Sequence, residues 1–308
     1  MTGYPIDRHG LIYRSTALEA GFTDTEITRA VSRGDMVRVA RGAFALPGDR
    51  TPEQTHLLAA IAMGELAGGS VVLSHQSAAT VHGLEMLRPS LRRVHLTAGS
   101  SAGAHRSTTR HEHVGILADD EIAIVDGVVV TSLERTAVDV ACTTTMGFAG
   151  ALAVFDSALR RGADRTEMAE MVRATRRGVG HARRALRYAD AKAENPGESW
   201  SRAVMVEAGL PSPRLQHEFF DDDGSQIART DFDWAGLLVG EFDGMTKYQK
   251  HVRAGETPFD AMRREKERED ALRRAGIMVI RWTWSDLERG RVVPMIRDWL
   301  TRLKLAAA

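Results

Sequence analysis

The stretch "TDFDWAGLLVGEFDGMTKY", Thr230 to Tyr248, decides how the C-terminal third is read. Strand side chains alternate between faces with a period of two. Phe232, Trp234, Leu238 and Phe242 therefore share one face, and Asp231, Asp233, Glu241 and Asp243 share the other. With Ala235, Gly236 and Leu237 as the loop of a β-hairpin, Asp231 lies opposite Glu241. Like charges directly opposed in a ladder are destabilising. At an effective dielectric of about 20, two charges about 5 Å apart repel by roughly 3 kcal/mol. Open water, a raised pKa or a bound cation has to offset that repulsion.

Working outward, "ENPGESW" is a Pro-Gly break, and a helix from Glu198 to Ala208 stops at Gly209 before "LPSP". "RLQHEFFDDDG" is a strand and turn. After the hairpin, "TPFDAMRREKEREDALRRAG" is a charged helix and "IMVIRWTW" a buried strand. The order over residues 194–308 is α-β-β-β-α-β. Trp282 and Trp284 of the last strand are expected in the core rather than stacked on bases.

This order, with carboxylates on its first helix and central hairpin, resembles the PD-(D/E)XK nuclease core, in the branch related to very-short-patch-repair endonucleases. The resemblance implies an endonuclease-like domain that hydrolyses DNA phosphodiesters around one or two Mg2+ (or Mn2+) ions. Glu198 in "GES" matches the family's helix acid, Asp231 its strand aspartate, and Glu241 in "EFDG" the acid of the second strand. Two residues after Glu241 the family has Lys, where this chain has Asp243; Lys247 is the nearest following lysine. The expected catalytic set is Glu198, Asp231, Glu241 and Lys247. Asp231, Glu241 and Asp243 are the expected metal ligands, and Gln216 a supporting polar group. The carboxylates suit a hard cation that takes oxygen ligands, and Lys247 would offset charge developing on phosphorus.

Residues 1–50 have a different pattern. "STALEAG" ends at Gly21, and "TDTEITRAVSRG" follows with Thr23 as N-cap and Glu26 three residues on. "MVRVARGAFALPG" alternates and turns at Arg41-Gly42. Helix, turn, helix and β-wing is the layout of a winged helix-turn-helix. Its second helix would present Arg29 and Arg33, with Thr28 and Ser32, to a major groove; its wing would present Arg38 and Arg41 to phosphates.

Residues 51–193 read as a mixed α/β domain: a helix opening at Pro52, short strands alternating with helices, then two long amphipathic helices. These are "FAGALAVFDSALRRG" and "RTEMAEMVRATRRGVGHARRALRYADAKA". His75, His82, His95, His105, His111 and His113 fall here. Cysteine pairs and HExxH spacing are both missing, so scattered structural or surface histidines are expected rather than a zinc site. The arginines between Arg160 and Lys192 form either a solvated helical face or a phosphate-binding surface. No Gly-rich phosphate loop or GxSxG elbow is present, which sets aside nucleotide hydrolase and esterase readings.

The N-terminal two-thirds also resembles AbiEi-type antitoxins of toxin–antitoxin systems. "GLIYRSTALEAGFTDTEITRAVSRGDMVRVARGAFALPG" carries that family's winged-helix pattern, and "LSHQSAATVHGL" and "VVVTSLERTAVDVA" are similar to its following domain. The resemblance implies operator binding, autoregulation and a cognate toxin protein as partner.

The whole chain of 308 residues is therefore expected to be an α/β mixed multidomain protein. Its formal net charge is zero, so any affinity for double-stranded DNA must come from local patches. One cysteine, Cys142, rules out an intrachain disulfide framework. With no apolar signal core or membrane-length stretch, a cytoplasmic protein is expected. Three functions remain: a Mg2+-dependent DNA endonuclease guided by its own winged helix, a transcriptional regulator and antitoxin whose nuclease-like domain is inactive, or the toxic effector of a defence system restrained by another protein.

Overall fold

Among the described residues, twelve α-helices and twelve strands in three sheets build a mixed α/β multidomain protein. The computed structural model describes residues 3–69, 71–99, 106–221, 223–244 and 257–305. The chain divides into two units: Met1–Leu84 with Arg88–Thr143 and Ala163–Ala174, and Glu85–Leu87 with Thr144–Gly162 and Thr175–Ala308.

The first unit opens with β1 (Leu11–Tyr13), α1 (Arg14–Glu19), α2 (Asp24–Arg33), β2 (Val37–Ala40) and β3 (Ala43–Ala45). The Thr23 hydroxyl accepts the Glu26 N–H, and the Glu26 carboxylate accepts the Thr23 N–H, so a reciprocal cap starts α2. Gly34, at φ 81°, ends it. The strands form an antiparallel sheet in the order β1-β3-β2. Ile12 and Phe44 pack with Ile27, Ala30 and Met36, while Leu11, Ala40 and Ala43 pack into a second core.

That second core belongs to α3 (Pro52–Leu66) and a five-stranded sheet. The sheet comprises β4 (Val72–Leu73), β5 (Val94–Ala98), β6 (Arg110–Val114), β7 (Ile122–Val125) and β8 (Val128–Thr131), in the order β6-β5-β4-β8-β7. Between β4 and β5 lies α4 (His75–Val81), and after β8 comes α5 (Leu133–Thr143). The two faces of β1 and β3 thus serve two cores, so residues 1–50 form part of a larger unit and the chain does not divide at residue 50.

The helix expected from "RTEMAEMVRATRRGVGHARRALRYADAKA" is broken. After α6 (Gly147–Arg160), α7 (Arg165–Met171) belongs to the first unit and α8 (Val179–Tyr188) to the second, with Gly178 at φ 78° before α8. A left-handed residue at that position ends the helical path. Almost every residue of α6 from Phe148 to Ala158 is buried, and α6 packs on α8 and on α9 (Pro196–Glu207). A boundary at 193/194 would cut this packing.

The second unit continues through β9 (Arg214–Phe220), β10 (Gln226–Trp234), β11 (Leu238–Asp243), α10 (Pro258–Arg274), β12 (Met278–Thr283), α11 (Trp284–Glu288) and α12 (Val292–Arg302). From α9 to β12 the described elements run in the expected α-β-β-β-α-β order. The sheet order is β12-β11-β10-β9, with β11 and β12 parallel and the rest antiparallel. Residues 235–237 form the hairpin loop, Trp234 pairing with Leu238. Phe232, Trp234, Leu238 and Phe242 share a core with Met205, Trp282, Ile296 and Leu300, while on the opposite face Val239 packs with Leu272 of α10. Among the described residues no helix is long and apolar enough to cross a membrane.

Candidate functional site

Asn195 starts α9 by accepting the N–H groups of Gly197 and Glu198, at 2.9 and 3.0 Å. This cap sets Glu198 in the first helical turn, yet its side chain is 4 % exposed rather than solvated. Its Oε2 accepts the Glu194 N–H at 2.8 Å and the Gln216 amide at 3.2 Å. The same Gln216 nitrogen donates to Asp231 Oδ1 at 3.4 Å. Asp231 Oδ2 accepts the Phe242 N–H, at 2.8 Å, from the adjacent strand. Gln216 has φ 50°, an uncommon conformation for a non-glycine residue, and it bridges the two acids from β9. Helix, edge strand and central strand each contribute one of these three groups.

The electrostatics follow from that geometry. Burial, and after it the negative charge of Asp231, pushes the Glu198 carboxyl up to about 8; Glu194 adds to the push, and the bonds from Glu194 and Gln216 oppose it. The site therefore holds a proton near neutral pH that a cation would have to displace.

Glu241 is placed differently from the expectation. Its Oε1 lies 2.7 Å from Arg268 Nη1, and its Oε2 accepts from Arg268 Nη2 and Arg281 Nε, both at 2.9 Å. Burial pushes this carboxyl up, but the two arginines outweigh it and hold it below the usual range. Arg268 and Arg281 also reach Glu265, and Arg281 reaches Glu269, so a network between α10 and β12 neutralises Glu241. The repulsion foreseen across the hairpin is offset at Glu241 by arginines, while Asp231 accepts from Gln216 and the Phe242 N–H. Asp233 is also occupied: Arg214 Nε donates to it at 2.6 Å, and it accepts the Gly236 N–H at 2.9 Å in the hairpin loop. Asp243 is half-buried at the end of β11, and Lys247 lies outside the described residues.

Sequence reasoning missed Arg268 and Arg281 as the partners of Glu241. The signal for one was present: an arginine inside the buried run "IMVIRWTW" needs an acid beside it. It also missed the gathering of His75, His95 and His113. One ring nitrogen from each lies within 4.8 Å of the other two. Burial first, and neighbouring imidazoles after it, push His75 well below the ordinary histidine value, His95 to about 3 and His113 to about 4. The i, i+2 spacing of His111 and His113 on β6 was a legible hint of a shared face. His82 Nε2 instead donates to the Thr131 carbonyl oxygen at 2.7 Å, and His105 lies outside the described residues.

In the first unit Arg29 and Arg33 of α2, Arg38 of β2 and Arg41 in the following turn are all exposed, as are Thr28 and Ser32. Arg38 lies over the Phe44 ring at 5.6 Å. They are the residues expected to face a duplex.

The chain is 30 % identical over 298 residues to the uncharacterized protein Rv2248 of Mycobacterium tuberculosis (strain ATCC 25618 / H37Rv), covering 92 % of this chain and 99 % of that protein. The uncharacterized protein MT2308 of strain CDC 1551 / Oshkosh matches to the same extent. No family model matches. Among solved structures, the RV2827C protein from Mycobacterium tuberculosis aligns with a TM-score of 0.38 and 15 % identity, over 70 % of this chain and 84 % of that one.

Proposed function

This chain belongs to the family of the mycobacterial protein Rv2248, and we propose that it is a double-stranded-DNA-binding protein with a Mg2+-dependent, endonuclease-like C-terminal unit. The reading rests on one observation: Glu198 and Asp231, from different elements, are bridged by Gln216, and their proximity and burial raise the Glu198 pKa. A hairpin carrying acids only for solubility would leave them in water.

The donor set fits the cation. Two carboxylates are the hard oxygen ligands Mg2+ takes, usually with water filling the other positions. Glu198 and Asp231 would hold it, with Asp243 as a candidate from the strand end. Glu241 instead anchors Arg268 and Arg281. When bound, Mg2+ supplies charge neutralisation at a phosphodiester oxygen and a water of lowered pKa. Gln216 keeps the two carboxylates oriented, and Glu198 gives up its proton for the site to fill. Lys247 keeps the role implied by the nuclease resemblance. In this proposal α2 and the β2–β3 turn form the winged helix-turn-helix that carries the protein to its duplex through Arg29, Arg33, Arg38 and Arg41.

A second reading has its own support: Glu241 is bound by arginines and Asp243 stands where the nuclease pattern has lysine. In it the chain is an AbiEi-type regulator or antitoxin, with a cognate toxin as partner and no turnover in the nuclease-like unit. Incubating the full chain with supercoiled and linear DNA in Mg2+, Mn2+ or EDTA separates the two. Metal-dependent nicking that Asp231→Asn and Lys247→Ala both abolish supports the enzyme. Retained duplex binding without any cleavage supports the regulator. Cleavage that survives Asp231→Asn rejects the site.

A further inference from the structure

The histidine group in the first unit is separate from the acid pair and has different chemistry. His75 is the first residue of α4, His95 lies on β5 and His113 on β6. The β5 and β6 residues meet through parallel pairing, in which His95 is in register with His111 and Thr97 with His113. His95 Nδ1 and His113 Nε2 are 2.9 Å apart, and the His75 and His113 rings stack at 3.7 Å between centroids. His75 is 7 % exposed. A position that needed only to fill a core would carry Val or Leu, since burying polar rings is costly unless they are bonded.

From this convergence we infer that His75, His95 and His113 form a transition-metal site of the Zn2+ class, with three imidazole ligands. Zn–N bonds of about 2.0–2.1 Å in a tetrahedral set place ligand nitrogens about 3.3 Å apart. The three nitrogens here lie within 4.8 Å of one another, and the closest pair is at 2.9 Å. Loading requires the His75 and His113 rings, stacked here with their planes 14° apart, to turn out of the stack so that both nitrogens face one ion. Imidazole donors select Zn2+, Cu2+, Ni2+ or Fe2+ over Mg2+. Three protein ligands leave one position for water or an exogenous group.

The surroundings hold the rings as a metal site requires. His75 Nδ1 lies 3.0 Å from the Ser74 hydroxyl. The Ser77 hydroxyl accepts the backbone N–H of His95 at 2.8 Å and also contacts His56 Nε2 at 2.9 Å; His56 Nδ1 in turn lies 3.0 Å from the Leu91 carbonyl. This buried chain ties α3 and α4 to β5, fixing the strand that presents His95. Outer contacts of this kind orient ligating histidines and affect affinity. His75 also has φ 50°, so the backbone adopts an uncommon conformation at the residue that reaches the two strands.

The test uses the full chain, stripped with a chelator and titrated with Co2+ alone, followed by Zn2+. The expected result is one equivalent of Co2+ bound, with a visible ligand-field spectrum distinct from the aqua ion and abolished by one equivalent of Zn2+. His113→Ala and His95→Ala should each weaken binding at this site more than tenfold, whereas Asp231→Asn should leave its ligand-field spectrum unchanged. A wild-type protein that leaves the aqua-ion spectrum untouched overturns the site, even if the histidine variants fail to fold. Spectra unchanged in folded histidine variants, or lost in Asp231→Asn, overturn it equally.

Discussion

Two buried carboxylates of the second unit, Glu198 on α9 and Glu241 on β11, have opposite fates, and each makes a measurable prediction. The Glu198 carboxyl is raised from its ordinary range to about 8, burial being the first cause. Folded protein therefore binds more protons than unfolded chain between about pH 4.5 and 8. The associated stability is fully present below that window and is lost as pH rises through about 8. Glu198→Gln should flatten the decline, leave a residual slope below about pH 6 from buried Asp156, whose pKa is raised to about 6, and make the protein more stable than wild type at pH 8. It should also remove Mg2+ binding in a calorimetric titration; a variant that binds Mg2+ as wild type rejects Glu198 as a ligand. Glu241→Gln should do the reverse. Breaking a buried ion pair costs roughly 3–5 kcal/mol, and here about 2–4 because the Arg281 side chain is 35 % exposed. Chemical denaturation should show that loss while Mg2+ titration stays at the wild-type level. Strand alternation made the opposition of Asp231 and Glu241 legible. The direction each side chain takes depends on Arg268 and Arg281, 27 and 40 residues further along the chain, and no local pattern encodes that.

Two glycines show how element packing holds the acid site in place. A Cβ on Gly197 would lie 2.0 Å from the Phe242 ring, and one on Gly240 would lie 2.4 Å from the Trp282 ring. Both rings are buried and part of one core, so neither has room to swing aside. Gly197→Ala and Gly240→Ala should each destabilise by about 1–3 kcal/mol or more, as overpacking does. Gly180→Ala, in α8 with nothing within 4 Å, should instead be neutral or stabilising by up to about 1 kcal/mol. Thermal denaturation of the three variants checks the contrast, and a Gly197→Ala protein as stable as wild type would contradict the packing described. The "GES" of the sequence thus has a steric meaning: α9 approaches β11 closely enough to bring Glu198 toward Asp231 only because residue 197 lacks a side chain. The hairpin, the reciprocal cap at Thr23 and the strand at Met278–Thr283 follow from short-range patterning, although only Ile280 and Trp282 of that edge strand are buried. The break at Gly178 was harder to see, because the helical periodicity runs on through it.

At the scale of the whole molecule, domain division was the least legible feature, since it depends on which buried faces meet. Leu11, Ala40 and Ala43 pack with α3 and the five-stranded sheet. An isolated 1–50 fragment would expose them, and it should give no cooperative unfolding transition by circular dichroism. A fragment that melts cooperatively would show that the small core around Ile27 and Phe44 suffices. DNA binding is therefore best measured on the full chain, where the zero net charge sharpens the prediction. Without a global attraction, salt dependence reports only the local contacts. Counting the groove-facing Arg29 and Arg33 as also meeting the phosphates that flank the groove, together with Arg38 and Arg41, four contacts at about 0.9 released counterions each give a slope of log K against log salt near −3.6. Arg33→Ala should lower affinity at every duplex sequence and bring that slope to about −2.7, while Asp231→Asn leaves it unchanged. A wild-type slope near zero, or one that Arg33→Ala does not alter, would remove α2 from the interface and with it the winged-helix part of the proposed function.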